Sequence, residues 1–559
     1  MEAKLKKYLD AWDTVGAREM FQKKLDRKEM DEVAWDLISL ISTYITDEIN
    51  TKCPILIATC SDLLEIVVEY GNPKESLIVL LESCESFSDS VCCLNVLPAL
   101  SKVLFRLPDK AKKSSWLLSF STLMSHLHSY RPLTSKCLEK SDRLLLENDP
   151  EVIKRLKTVE SFTEVILNPI MKVLHTDPEI KDEISTFILN IFHKPIIYLN
   201  LHVEEEKTFE SRALIVSKTL LNHLFELVPN PLSLSGLYKK LMFKLKNVEG
   251  KTNFENSRFT EQSMGVVYYL IFGEGINKER LPLVYNNLYI FKTLLPYVTI
   301  FLSEVNEMAV FKGLILFNAI VKSLPHRCLK EENLNFVIHK DFIAALVKVI
   351  VYHDLSEYRM LAYNNYNLYY QSFSLENRVT FFKTIIHLSN HSGLIGDVVT
   401  KWKDTVLHNL EEDCPLSQYM GDSMRYIIRT VCQLSHGAET DLLEVSDELQ
   451  SVLNALYALF ARDTQNKTEI WDMREELNQC FINPLQDGLI ISKEHYKLKL
   501  KNEKSSDGPE VSLMVGGRPI PDMSKEEMKN VINSAINTFE MIEFSLSRLK
   551  DFINRRNVP

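Results

Sequence analysis

The sequence predicts an all-α protein, an irregular HEAT/ARM-like helical-repeat solenoid with a long C-terminal helix. Three observations carry that prediction. Apolar residues recur at spacings of three and four along most of the 559 residues, which gathers them on single helical faces. Only 16 Gly and 20 Pro accompany a 45% hydrophobic content, too little turn chemistry for a many-stranded or Rossmann-type chain. Prolines break the pattern at intervals of roughly 10 to 40 residues, each enclosing about one or two helices. No fixed-period self-similarity of the ankyrin or tetratricopeptide kind is present, so irregular helical pairs describe the chain best. A domain count from length, at ~150 residues per domain, does not apply to a core that grows in one dimension.

The elements follow in order. Met30 to Tyr44 and Cys60 to Tyr70 have helical patterns, and Gly71-Asn72-Pro73 starts a new helix through Leu77, Leu80 and Leu81. Further breaks are expected at Pro108, Pro132, Pro150, Pro169, Pro178, Pro195 and the pair Pro229/Pro231. The polar interval from Lys244 to Gln262 separates an N-terminal helical-repeat region (1–245) from a C-terminal one (263–559), with 246–262 as linker or loop. Helices then occupy Met264 to Phe272, a Leu281-Pro282 start, Asn286 to Leu302, Met308 to Leu324, Asp341 to Tyr352, Ser374 to Asn390, Gly396 to Asn409 and Ser423 to Leu434. Ser446 is an N-cap candidate ahead of Leu449, Val452, Leu453, Leu456, Leu459 and Phe460. Lys497 to Glu510 reads as an exposed polar loop and Val511 to Val515 as a short extended piece before Gly516-Gly517. Ser524 to Glu527 forms a capping-box pattern before Met528, Ile532, Ala535, Phe539, Ile542, Leu546, Leu549 and Ile553, a helix on the order of 40 Å long that caps the solenoid.

Charge and cysteine usage narrow the function. A net charge of -10 without a long Lys/Arg stripe gives no nucleic-acid footprint. Ten scattered cysteines without a CxxC pair suggest reduced core thiols rather than zinc ligands or disulfides. No run approaches the ~18 apolar residues of a membrane span, and the N-terminus carries no apolar signal region, so a soluble intracellular protein is expected.

Signatures of chemistry are missing. There is no P-loop, HExxH, GxSxG or dinucleotide fingerprint, and Gly273-Glu274-Gly275 is a bare GxG in a loop. His126/His128 and His387/His391 lack a nearby Cys or carboxylate at ligand spacing and read as ordinary histidines; Cys92-Cys93 reads as core. Tyr358, Tyr363, Tyr366, Tyr369 and Tyr370 form the densest aromatic patch, read as helix packing rather than a binding surface. No catalytic residue, cofactor or metal is expected.

Several segments resemble the glomulin family of HEAT-like repeat proteins: SMGVVYYLIFGEGINKERLPLVYNNLY (263–289), KGLILF (312–317), LSNHSG (388–393), GAETDLLEVSD (437–447), FINPLQDGLIISKEHY (481–496) and IPDMSKEEMKNVINSAINTFEMIE (520–543), with GNPKESLIVLLE (71–82) extending the likeness into the first half. The resemblance implies a non-enzymatic regulator. It implies that the C-terminal part grips the RING subunit of cullin-RING ubiquitin ligases, masks the docking surface of the ubiquitin-conjugating enzyme and so inhibits ubiquitin transfer. It also implies an association with an immunophilin, and a monomer in the cytoplasm or nucleus. The matching positions implied as partner-binding are Asn390, His391 and Ser392; Glu439, Thr440 and Asp441; and Lys493, His495 and Tyr496. Thr440 and Asp441 read equally well as caps. The other functional class for such a chain is a general helical scaffold or transport adaptor for peptide-like clients.

Overall fold

A computed structural model describes residues 1–22, 27–86, 90–129, 149–174, 178–202, 210–236, 238–239, 260–333, 336–412, 415–503, 514–515, 518–519 and 525–555. The fold is all-α, a succession of helices joined by short turns; Met514–Val515 and Arg518–Pro519 pair as a minimal antiparallel hairpin. The polar interval expected at 246–262 lies outside the described residues as far as 259. The chain forms two compact units, Met1–Ser323 with Asp354–Leu361, and Leu324–His353 with Ala362–Pro559.

In the first unit each helix buries its apolar face against sequence neighbours, the habit of a helical-repeat stack. Helix Arg27–Thr43 lies against Pro54–Tyr70 and Pro73–Ser86, and the latter against Ser90–Arg106. Leu37, Ile38, Ile41, Leu63, Leu64 and Val67 are fully buried between them. Proline starts behave as expected where a side-chain cap precedes them: Asn72 accepts from the Lys74 amide at 3.0 Å, and Asp149 accepts from Glu151 at 2.8 Å and Val152 at 3.3 Å. Two expected boundaries differ. At Pro169 the helix continues, because a π turn over Phe162–Leu167 joins Pro150–Ser161 to Asn168–Leu174 and accommodates the missing N–H donor. At Pro282 no helix starts; Asn286 is the better cap, accepting from the Tyr289 amide at 2.7 Å, and the helix is Asn287–Leu302. The break expected at Pro132 lies outside the described residues.

A lysine is buried deep in this unit. Lys312, on helix Glu307–Lys322, is 1% exposed, and its ammonium donates to the carbonyls of Ile197 (2.8 Å) and Leu199 (2.6 Å). It pins the turn after helix Pro178–His193 to a helix more than a hundred residues later.

The second unit contains Phe336–Tyr352, Arg378–Leu388, Ser392–Glu411, Gly421–Val431, Ser446–Arg462, Asn483–Glu503 and Lys525–Arg555, together with the later part of Ser356–Ser372. Tyr366, Tyr369 and Tyr370 are buried in an aromatic cluster with Phe373 and Phe381, whereas Tyr363 is half-exposed and donates to Asp397 at 2.9 Å. Packing thus accounts for most of the tyrosine patch. The C-terminal helix buries the stripe Ile532, Ala535, Phe539, Ile542, Leu546, Leu549 and Ile553 against Ser446–Arg462 and Asn483–Glu503. Ser524 of the capping-box pattern lies outside the described residues. The loop expected from Lys497 is instead helix as far as Glu503; lysine, leucine and glutamate are good helix formers, Lys497 pairs with Glu494 at 3.2 Å, and Lys499 lies 5.1 Å over the Tyr496 ring.

Candidate functional site

The three segments singled out by the sequence all lie in the second unit, on elements that touch one another. His391 is the N-cap of helix Ser392–Glu411, its Nδ1 accepting from the Leu394 amide at 3.3 Å, and its own amide donates to Ser389 Oγ at 3.2 Å. Asn390 is exposed beside it. Ser392 reaches across to the next helix: its hydroxyl accepts the Glu448 amide at 2.9 Å, so it caps Ser446–Arg462 from outside. Ser446 is not the cap; Val445 holds that position and supplies no side-chain bond. The two helices meet closely because Gly396 has no Cβ. A Cβ there would lie 2.9 Å from the Asp447 carbonyl oxygen.

The turn leading into that helix is built from its own polar residues. Gly437 takes a left-handed conformation, φ +54°. The Thr440 hydroxyl donates to the Gly437 carbonyl (2.9 Å) and accepts from the His436 amide (3.1 Å), and Thr440 is buried. Asp441 accepts from the amides of Leu443 (3.0 Å) and Glu444 (3.4 Å). Glu439 and Asp441 are exposed. Thr440 therefore shapes the turn, whereas the two carboxylates face outward.

Helix Asn483–Glu503 lies on this turn. A Cβ on Gly488 would come within 2.9 Å of the Ala438 carbonyl oxygen, so the GAETD turn and the QDGLI helix segment fit together only with glycine there. The Tyr496 hydroxyl is raised above its ordinary pKa by burial and by the Asp441 carboxylate, which places the two residues in one field. The Tyr496 ring also packs edge-on against Phe539 at 5.4 Å, and His495 is exposed beside it. Lys493 is paired with Glu543 at 2.7 Å and is half-buried. With Lys550 donating to Gln486, these contacts set the last two helices antiparallel.

One carboxyl in the region is unusual. Burial pushes Glu448 up to about 7, and its proximity in turn helps raise the Cys432 thiol. Among the described residues no three His, Cys, Asp or Glu side chains group as they would around a metal ion. His387 and His391 do not converge: His387 Nε2 meets the Tyr426 hydroxyl at 2.6 Å. His126 is buried in the first unit, and burial, with the nearby Lys154 ammonium, lowers it to about 4.

Sequence reasoning missed five exposed apolar side chains. Ile490, Ile491 and Leu498 on Asn483–Glu503, and Met541 and Phe544 on Lys525–Arg555, are each more than half exposed. The signal was available, because Met541 and Phe544 fall off the stripe that runs from Ile532 to Ile553. Exposed apolar groups of this size on neighbouring helices are a feature of protein-binding surfaces.

No family model matches the chain. Two curated relatives do. The chain is 25% identical over 551 residues to the protein Glomulin of Homo sapiens, spanning 96% of this chain and 90% of the relative. It is 26% identical over 513 residues to Glomulin of Mus musculus, spanning 88% and 83%.

Proposed function

Because the chain belongs to the glomulin family, its likeness to those relatives running nearly end to end, we propose that it binds the RING subunit of cullin-RING ubiquitin ligases. By covering the surface where the ubiquitin-conjugating enzyme docks, it blocks ubiquitin transfer without chemistry of its own. The observation that carries this reading is the clustering in the second unit. The three family-matching segments interlock through the Ser392–Glu448 cap, the Gly488–Ala438 approach and the Asp441–Tyr496 neighbourhood. That leaves Asn390, His391, Glu439, Asp441 and His495 exposed, with Ile490, Ile491 and Leu498 on the same helix as His495. Thr440 and Lys493 support this surface: one is spent on its turn and the other on Glu543. Exposed apolar groups together with polar and charged ones suit a folded protein partner, through burial at the centre and complementarity at the rim.

Titration calorimetry of the purified chain against a cullin–RING complex tests the reading. Binding that disappears when a saturating, ubiquitin-charged conjugating enzyme is present is the expected result. Absence of heat and of a complex at high micromolar concentration overturns it and leaves a general helical scaffold.

A further inference from the structure

Helix Ser446–Arg462 carries Glu448 in its first turn, where two of the family-matching segments meet. The backbone there is held from outside the helix. The Glu448 amide donates to Ser392 Oγ at 2.9 Å, and the Asp447 carbonyl oxygen lies 2.9 Å from the place a Cβ on Gly396 would occupy. The side chain is not held: the Glu448 carboxyl has no hydrogen bond and no ion pair among the described residues. It is half-buried, yet its oxygens keep access to solvent.

Taking a carboxylate out of water disfavours its charge unless a cation or N–H donors replace the lost hydration. Here nothing in the chain does so. Burial raises Glu448 to about 7, and no ammonium or guanidinium among the described residues stands near enough to offset it. The titratable groups on the surrounding elements are Asp447 on its own helix, His391 at the cap of Ser392–Glu411, and Cys432 and His436 beyond Gly421–Val431. Cys432 is the one that senses the carboxylate; its thiol is pushed up by burial and then by Glu448, so it stays neutral. Other half-buried ionic groups of this unit are matched internally, Lys493 by Glu543 and Asp397 by Lys401. Glu448 lacks only the cation.

We propose that Glu448 is the acceptor for a basic side chain of the RING partner, an inference that rests on the RING-binding reading and assigns that surface a specific polar contact. An arginine suits the position better than a lysine, because a guanidinium is more weakly hydrated and offers a donor to each carboxylate oxygen. Pairing requires the ionised carboxylate, so binding competes with a proton. Glu448 is half protonated near pH 7, and the apparent affinity follows its ionised fraction, which rises about tenfold from pH 6 to pH 8.

Titration calorimetry of the full chain against the cullin–RING complex at pH 6, 7 and 8, with the parent and with Glu448→Gln, tests this. Titrations on the partner are common to both proteins. Beyond any change seen in the variant, the parent should bind about tenfold more tightly at pH 8 than at pH 6. At pH 8 Glu448→Gln should bind about tenfold more weakly than the parent while melting at a higher temperature, the reverse of what a damaged fold gives. Parallel pH dependence in the two proteins, or full affinity of the variant at pH 8, overturns the proposal and leaves the RING reading standing. No binding by either protein at any pH overturns the RING reading, and the proposal with it.

Discussion

Ser392 stabilises a later helix by accepting an amide 56 residues further along the chain, and a local reading of capping had no access to that. N-cap preference is a property of neighbours in sequence, so Ser446 was the natural candidate; the structure fills the need from another helix and leaves Val445 at the cap. Ser392→Ala should cost about 1 kcal/mol of unfolding free energy in urea, the usual loss for a capping hydroxyl. No change in the denaturation midpoint would show that the Glu448 amide finds another acceptor. Glu448 adds a pH dependence. Its folded pKa of about 7 stands above the ordinary glutamate value of 4.5, so the native state holds the proton more tightly than the unfolded chain. The group's contribution to stability is complete below pH 4.5 and is lost as pH rises towards 7. Glu448→Gln should therefore raise the melting temperature at pH 8 and leave it nearly unchanged at pH 4.5. A variant that melts alike at both pH values relative to the parent would contradict the buried carboxyl.

Among the elements, long helices with regular apolar stripes were the most legible. The C-terminal helix is the clearest case, since of the apolar residues assigned to its stripe only Met528, in the first turn, is not buried. Boundaries were less legible, because they depend on which of several competing local signals wins. Polarity suggested a loop from Lys497, yet helix propensity and the Glu494–Lys497 pair carry the helix to Glu503. At Pro169 a wide turn overrides the break. Contact between elements was least legible of all, because glycine's role there is to leave space. Gly488 lies within a helix, where alanine would normally stabilise by about 1 kcal/mol. Here an added Cβ meets the Ala438 backbone oxygen at 2.9 Å, and overpacking of this kind costs about 1–3 kcal/mol. Gly488→Ala should thus destabilise, and by shifting the Gly437–Glu439 turn it should also weaken RING binding. A more stable variant with full affinity would refute the close fit.

At the scale of the molecule, composition and periodicity were enough for the all-α repeat fold, because both are averages over the whole chain. The candidate surface was only partly legible: the resemblance named segments, but burial decides which of their side chains face outward, and Thr440 does not. The two compact units allow stability and binding to be separated. Lys312→Met would leave the Ile197 and Leu199 carbonyls without their donor, at a cost of about 1–3 kcal/mol in the first unit. If the RING is gripped by the second unit alone, its affinity should not change. Deleting Gly516 to Pro559 should have the opposite pattern, since it removes the partner of Gln450, Tyr457 and Tyr496. Calorimetric melting should then show the second unit destabilised and the first unaltered, with RING binding lost. Binding that falls in Lys312→Met while its second unit melts normally would mean that the first unit also contributes to the grip, and the masking surface would have to extend beyond the C-terminal helices.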